Sequence, residues 1–165
     1  VFMQRFMLFL AYPVYAVAVV LTSFLFFSGA GSYAAGRLAG NPARNVARAV
    51  LGIACVAGVY HVALHPVFEA LAGFPDGVKI VLSVAGLAPM AFCMGIPFPL
   101  GLQAAANRSD ALLPWAWGIN GCASVMGATL ATASSVHMGF PLVVLLALVC
   151  YGLAALAIRP LTRAG

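Results

Sequence analysis

The sequence has few charged side chains: Asp, Glu, Lys and Arg together make up 7 % of its 165 residues. A soluble domain typically carries about 25 %, because charged groups cover its surface in water. The chain is instead 64 % hydrophobic, and its mean hydropathy is +1.08. With 8 Lys and Arg and 3 Asp and Glu, the chain cannot coat a globule in water. The composition therefore predicts an integral membrane protein.

Acidic residues are especially scarce, and this excludes most catalytic chemistry. Glu69, Asp76 and Asp110 all fall between the apolar runs, so no carboxylate lies inside a predicted span, where proton-coupled carriers use one. The serines lack His and Asp partners at a recognisable spacing. No glycine-rich phosphate loop follows a predicted strand. We expect this segment to have no catalytic residue and no cofactor, and so not to be an enzyme by itself.

Clusters of cysteine and stripes of basic residues are missing as well. The four cysteines, Cys55, Cys93, Cys122 and Cys150, lie far apart in apolar stretches, which favours packing roles over a disulfide framework or zinc site. The arginines occur singly or in short linkers. That distribution excludes a nucleic-acid footprint.

Long uncharged runs predict five membrane-spanning helices, since one span needs about 20 apolar residues. The run from residue 111 to residue 158 is long enough for two spans, and Gly139 and Pro141 mark the break between them. The predicted spans cover approximately residues 6–30, 48–67, 79–100, 114–136 and 140–158. The expected fold is all-α: one polytopic transmembrane helix bundle over residues 1–165.

The positive charges predict the orientation, because cytoplasmic loops are enriched in Lys and Arg. With five spans, one side collects six arginines and the other collects only Arg5 and Lys79. The six are Arg37, Arg44 and Arg48 in the first linker, Arg108 in the third, and Arg159 and Arg163 after the last span. We expect a multi-pass membrane protein with a cytoplasmic C-terminus. An external N-terminus would require a preceding helix.

Small residues recur every four positions in two predicted spans, which is typical of close helix packing in lipid. An alternative is a narrow substrate path along the same faces. The rows are Ser28, Ser32, Gly36 and Gly40 at the end of the first helix, and Ala123, Gly127, Ala131 and Ser135 in the fourth span.

Two further patterns are compatible with a polar interior. Gly95, Pro97 and Pro99 interrupt the third span, either as a kink near its end or as a discontinuous helix of the kind found at transporter binding sites. Asn120 and Ser124 share a face of the fourth span. They form either an interhelical hydrogen bond or the lining of a polar pathway.

Three histidines are the only candidates for a metal or haem site. His61 and His65 are one turn apart, and His137 ends the fourth span. Histidines at this spacing can bind a metal, and histidines on facing helices can hold haem. The absence of further ligands nearby in sequence, apart from Glu69, favours the interpretation that no metal is bound.

Three stretches resemble part of a known protein family: Gln4–Leu21 continuing into Ser28–Arg37, Met94–Gly101 and Trp115–Gly127. They are similar to the membrane portion of large bacterial proteins that join membrane helices to a spermidine synthase-like domain, a portion itself similar to the major facilitator superfamily. The resemblance implies a place in the bacterial inner membrane and an upstream helix that would complete a six-helix half-bundle. It also implies a soluble domain with the fold of S-adenosylmethionine-dependent methyltransferases and polyamine aminopropyltransferases. It carries no catalytic residue over to this chain.

These observations give three functional hypotheses. The first is a membrane module that anchors the cytoplasmic domain of the same polypeptide and moves a small solute. The second is an autonomous carrier or half-carrier of the major facilitator type, which would assemble as a homo-oligomer. The third is a haem- or metal-binding membrane protein. In all three the lipid bilayer is the surrounding partner.

Overall fold

The computed structural model describes residues 13–71 and 73–162, and all regular secondary structure in these ranges is helical. The helices are α1 Pro13–Ala35, α2 Pro42–Leu71, α3 Asp76–Gly95, α4 Pro97–Ala106, α5 Leu112–Met138, α6 Phe140–Ala157 and the short α7 Arg159–Thr162. Because α3 runs almost directly into α4, the two count as one interrupted helix. The helical content of the described residues confirms the predicted all-α bundle.

Three helical segments are long and apolar enough to cross a membrane: Val17–Ala35, Pro42–Ala63 and Gly77–Ala106. Helix α6 is apolar but shorter, over Pro141–Ala157, and α5 is long but carries several polar side chains. The chain is thus a membrane protein. Spanning by α5 and α6, the fourth and fifth predicted spans, stays a prediction.

Helix α2 begins at Pro42, before the predicted start at residue 48, because the local sequence caps it there. The Asn41 Oδ1 atom accepts the Ala43 backbone N–H at 2.9 Å, and proline suits the first helical position. As a result, Arg44 and Arg48 lie on the first two turns of α2 and not in the linker where the charge count placed them. Gly40, with φ +97°, makes the turn that precedes the cap.

Two clusters of buried apolar side chains lie within the described residues, and α2 contributes to both. The first joins the end of α1, the start of α2, α4 and the end of α6, through Ala35, Val46, Ala49, Ile96, Leu100, Ala104, Ala155 and Ile158. The second, midway along α2, is built on Ile53, Ala57 and Met90, with Tyr60, Cys93, Met94, Val144, Leu148 and Tyr151 packed around them. Helix α2 accordingly packs against α3, α4, α6 and α7.

Five arginines lie at one end of the bundle, beside the first cluster. The Arg108 guanidinium donates to the Pro160 carbonyl at 2.9 Å, which brings the linker after α4 to the start of α7. We call this the arginine-rich end, defined by Arg37, Arg44, Arg48, Arg108 and Arg159. Lys79, in the first turn of α3, lies toward the opposite end.

We expect Leu100→Ala to lower the free energy of unfolding by about 2–5 kcal/mol, because it empties a fully enclosed site. Leu100 is 1 % exposed, whereas Leu25 on α1 is 74 % exposed. Leu25→Ala is the matched control and should leave stability nearly unchanged. Unfolding of both variants in detergent micelles measures the difference. Equal losses would show that the first cluster is not a structural core.

Candidate functional site

The break in the third predicted span lies between α3 and α4. Helix α3 ends at Gly95, and Ile96, at φ −81° and ψ −42°, keeps a near-helical backbone before Pro97 starts α4. Pro97 and Pro99 lack the N–H groups that would bond to the carbonyls four residues earlier. The Ile96 N–H lies 3.4 Å from the Cys93 carbonyl oxygen, so a tighter turn partly replaces one lost bond.

At this break, α1 and α3 approach backbone to backbone. A Cβ atom added to Gly95 would lie 2.8 Å from the Ser28 carbonyl carbon. One added to Gly31 would lie 3.0 Å from the Phe92 carbonyl carbon. Each glycine therefore rests on the carbonyl three residues before the other glycine. This reciprocal contact requires two residues without side chains.

Helix α2 closes on the other side of the same segment. A Cβ atom added to Gly52 would lie 3.0 Å from Cys93 Sγ. The segment is thus packed on α1 through Gly95 and on α2 through Cys93, while Pro97 and Pro99 are half-buried. Close contacts with both neighbouring helices therefore surround this part of the break.

The first predicted row of small residues is only partly at this contact. Ser28 touches Gly95 through its backbone, but Ser32 and Gly36 are exposed. The buried face of α1 instead carries Gly31 and Ala35. The small residues of α1 that pack closely, Gly31 and Ala35, each lie one position before the predicted Ser32 and Gly36. The Phe92 carbonyl lies opposite Gly31, which explains the shift.

The second predicted row lies on the least buried helix. None of the residues of α5 is buried in the described structure; Ala123 and Gly127 are exposed, and Ala131 and Ser135 are half-buried. Helix α5 packs against α4 and α6. An edge-to-face contact between Phe98 and Trp117, with ring centroids 5.2 Å apart, joins it to α4. The row is left available to a further helix.

The residues predicted to line a polar interior do not come together. Gly95 is packed against Ser28, whereas Asn120 and Ser124 are exposed on α5. The Ser124 hydroxyl donates to the Asn120 backbone carbonyl at 2.7 Å, a bond within one helix. A groove of about 650 Å³ does run along α5, but its lining is apolar: Pro114, Trp115, Gly118, Ile119, Cys122, Ala123 and Met126.

The histidines do not form a metal centre within the part of the chain that the structure describes. No group of three or more His, Cys, Asp and Glu side chains suited to a metal occurs there. His61 and His137 are exposed, and the side chain of His65 lies outside the described residues. The four cysteines are unpaired thiols.

Comparisons with known proteins give no family assignment. A scan against family models, a search of curated proteins and a search of solved structures each returned no match. The site therefore has to be interpreted from its own geometry.

We expect Gly31→Ala to destabilise the bundle, because its single added methyl meets the Phe92 carbonyl. Overpacking of this kind costs about 1–3 kcal/mol. Gly29, on the same helix, has no neighbouring atom within 4 Å of an added Cβ. Gly29→Ala should therefore gain about 0.5–1 kcal/mol from helix propensity. Opposite shifts of the unfolding temperature would establish the contact, and equal shifts would contradict it.

A pair of Asn→Leu variants separates an exposed amide from a buried one. Asn120→Leu should leave stability unchanged and make α5 more apolar, because Asn120 is exposed. Asn45 is 5 % exposed and its Nδ2 donates to the Ala39 carbonyl, so Asn45→Leu should cost about 1–3 kcal/mol. Unfolding in micelles measures both. A loss for Asn120→Leu would indicate a hydrogen bond to a partner helix.

Proposed function

We propose that this chain is an integral membrane module that anchors a soluble domain at its arginine-rich end. The observation that carries the proposal is the gathering of the first linker, the third linker and α7 at one end of the bundle, beside one buried cluster. Positive charge marks the cytoplasmic side of a multi-pass protein. An anchored enzyme domain would thus lie in the cytoplasm.

The anchored domain would be of the spermidine synthase type, as the three resembling stretches imply. The described residues supply no acid pair, metal cluster or phosphate loop for catalysis, and any such chemistry would belong to that domain. The coding sequence upstream of Val1 tests this part. An open frame through a further apolar span and a glycine-rich methyltransferase-like domain would support it, and a start codon directly before Val1 would refute it.

Anchoring has more support than transport. A carrier needs a polar path through the bundle, and discontinuous helices line such paths in transporters. Here the break is packed against Ser28 and Cys93 contacts Gly52. Asn120 lies apart from it on an exposed face of α5. The carrier hypothesis would require a second copy or further helices to build the path.

Reporter fusions test the orientation. We expect green fluorescent protein to fluoresce when fused after Gly40, Arg108 or Gly165, because these positions belong to the arginine-rich, cytoplasmic side. Alkaline phosphatase should be active when fused after Phe74 or Gly139, at the opposite end. Resistance of the intact chain to alkaline carbonate extraction is the control for insertion. The reverse pattern, in an inserted protein, would exclude anchoring of a cytoplasmic domain at this end.

A further inference from the structure

The outward face of α2 combines two arginines with an apolar strip. Val46, Ala49 and Ile53 are buried in the bundle, and a helix repeats every 3.6 residues. The opposite face carries Arg44, Arg48, Leu51, Cys55, Val59 and Val62, all of them exposed. Both arginines stand at the start of the helix, so charge occupies one end of the strip and hydrocarbon the rest.

The strip is long enough to line an acyl chain through one leaflet of a bilayer. A helix rises 1.5 Å per residue, so the segment from Arg48 to Val62 extends about 21 Å. One leaflet contributes about 15 Å of the hydrocarbon core. Leu51 is 64 % exposed and Val59 is 60 % exposed. The arginine side chains therefore lie at headgroup level when the strip lies beside acyl chains.

Arg48 is held in place by a buried amide. Its Nη1 atom lies 3.4 Å from Asn45 Oδ1, and Asn45 Nδ2 donates to the Ala39 carbonyl at 3.3 Å. Asn45 is 5 % exposed, so this chain of bonds ties the arginine to the first linker. The remaining guanidinium donors stay available. The sequence has three acidic residues. Glu69 lies near the C-terminal end of α2, Asp76 is the first residue of α3, and Asp110 lies between α4 and α5.

We propose that this face of α2 binds an anionic phospholipid, with the phosphate between Arg44 and Arg48 and an acyl chain along Leu51, Cys55 and Val59. Guanidinium groups bind phosphate oxygens through paired, charge-assisted hydrogen bonds. Basic side chains at the cytoplasmic membrane surface attract anionic lipids. A zwitterionic headgroup fits less well, because its ammonium group is repelled by the second arginine.

The test compares lipids on the purified full chain in detergent micelles. Phosphatidylglycerol should raise the unfolding temperature and remain bound in native mass spectra, and phosphatidylcholine should do so much less. In Arg44→Gln/Arg48→Gln the affinity for phosphatidylglycerol should fall about tenfold or more. Arg44→Lys/Arg48→Lys keeps the charge without the paired geometry. Its affinity for phosphatidylglycerol should lie between that of the wild type and that of Arg44→Gln/Arg48→Gln.

A matched double variant controls for lost charge. Arg37→Gln/Arg159→Gln removes two charges from the same end but leaves the α2 face intact. Arg37 is already engaged by Tyr33, whose hydroxyl it contacts and whose ring centroid lies 4.4 Å from its Cζ. This variant should bind phosphatidylglycerol nearly as the wild type does. Equal losses in both double variants would reduce the effect to net charge and overturn the site.

Three further outcomes would also overturn the proposal. Protection by inorganic phosphate equal to that by phosphatidylglycerol would show an anion site without an acyl contact. Equal binding of phosphatidylcholine would show an unselective hydrophobic face. Loss of lipid binding when the chain dimerises would assign the face to a second copy. These measurements need only a folded chain. If they contradict the lipid site, the predicted orientation, which the reporter fusions test, is unaffected.

Discussion

In hydrocarbon, two helices gain little from hiding apolar side chains, because lipid is as apolar as they are. Their association depends on how closely the backbones approach. Gly31 and Gly95 allow α1 and α3 to touch through carbonyl groups, where weak Cα–H···O contacts add to dispersion. Cys93 meets Gly52 on the other side. The position of α3 between α1 and α2 therefore rests on three glycine contacts within one turn of α3.

The same turn carries the helix break, and the two features depend on each other. Carbonyls released by Pro97 and Pro99 would be costly if they faced lipid. Packing between α1 and α2 keeps this segment half-buried, and the Ile96 N–H partly satisfies Cys93. Helix α4 then continues into the cluster at the arginine-rich end through Leu100 and Ala104. The break thus connects the close contact between α1 and α3 to the arginine-rich end of the core.

The sequence predicts the fold class from hydropathy, the break at Gly139 from its Gly and Pro residues, and the segregation of arginines from charge. It fails where two choices satisfy the same spacing. Ser28–Ser32 and Gly31–Ala35 both place small residues four apart on α1, and only the carbonyl of Phe92 on the facing helix selects Gly31. Charge alone also places Arg44 and Arg48 in a linker, whereas Asn41 and Pro42 cap a helix that already includes both arginines.

Helix α5 satisfies most of its hydroxyl donors internally. The hydroxyls of Ser124, Thr129 and Thr132 each donate to the backbone carbonyl four residues earlier, so their donors are satisfied within the helix. The side-chain amide of Asn120 is different, because it offers two donors as well as an acceptor. Its neighbours one turn further along, Ala123 and Ser124, are small and exposed, which permits close approach of another helix. Any helix that covers α5 would therefore gain most by meeting Asn120, whether it comes from the same polypeptide or from a second copy.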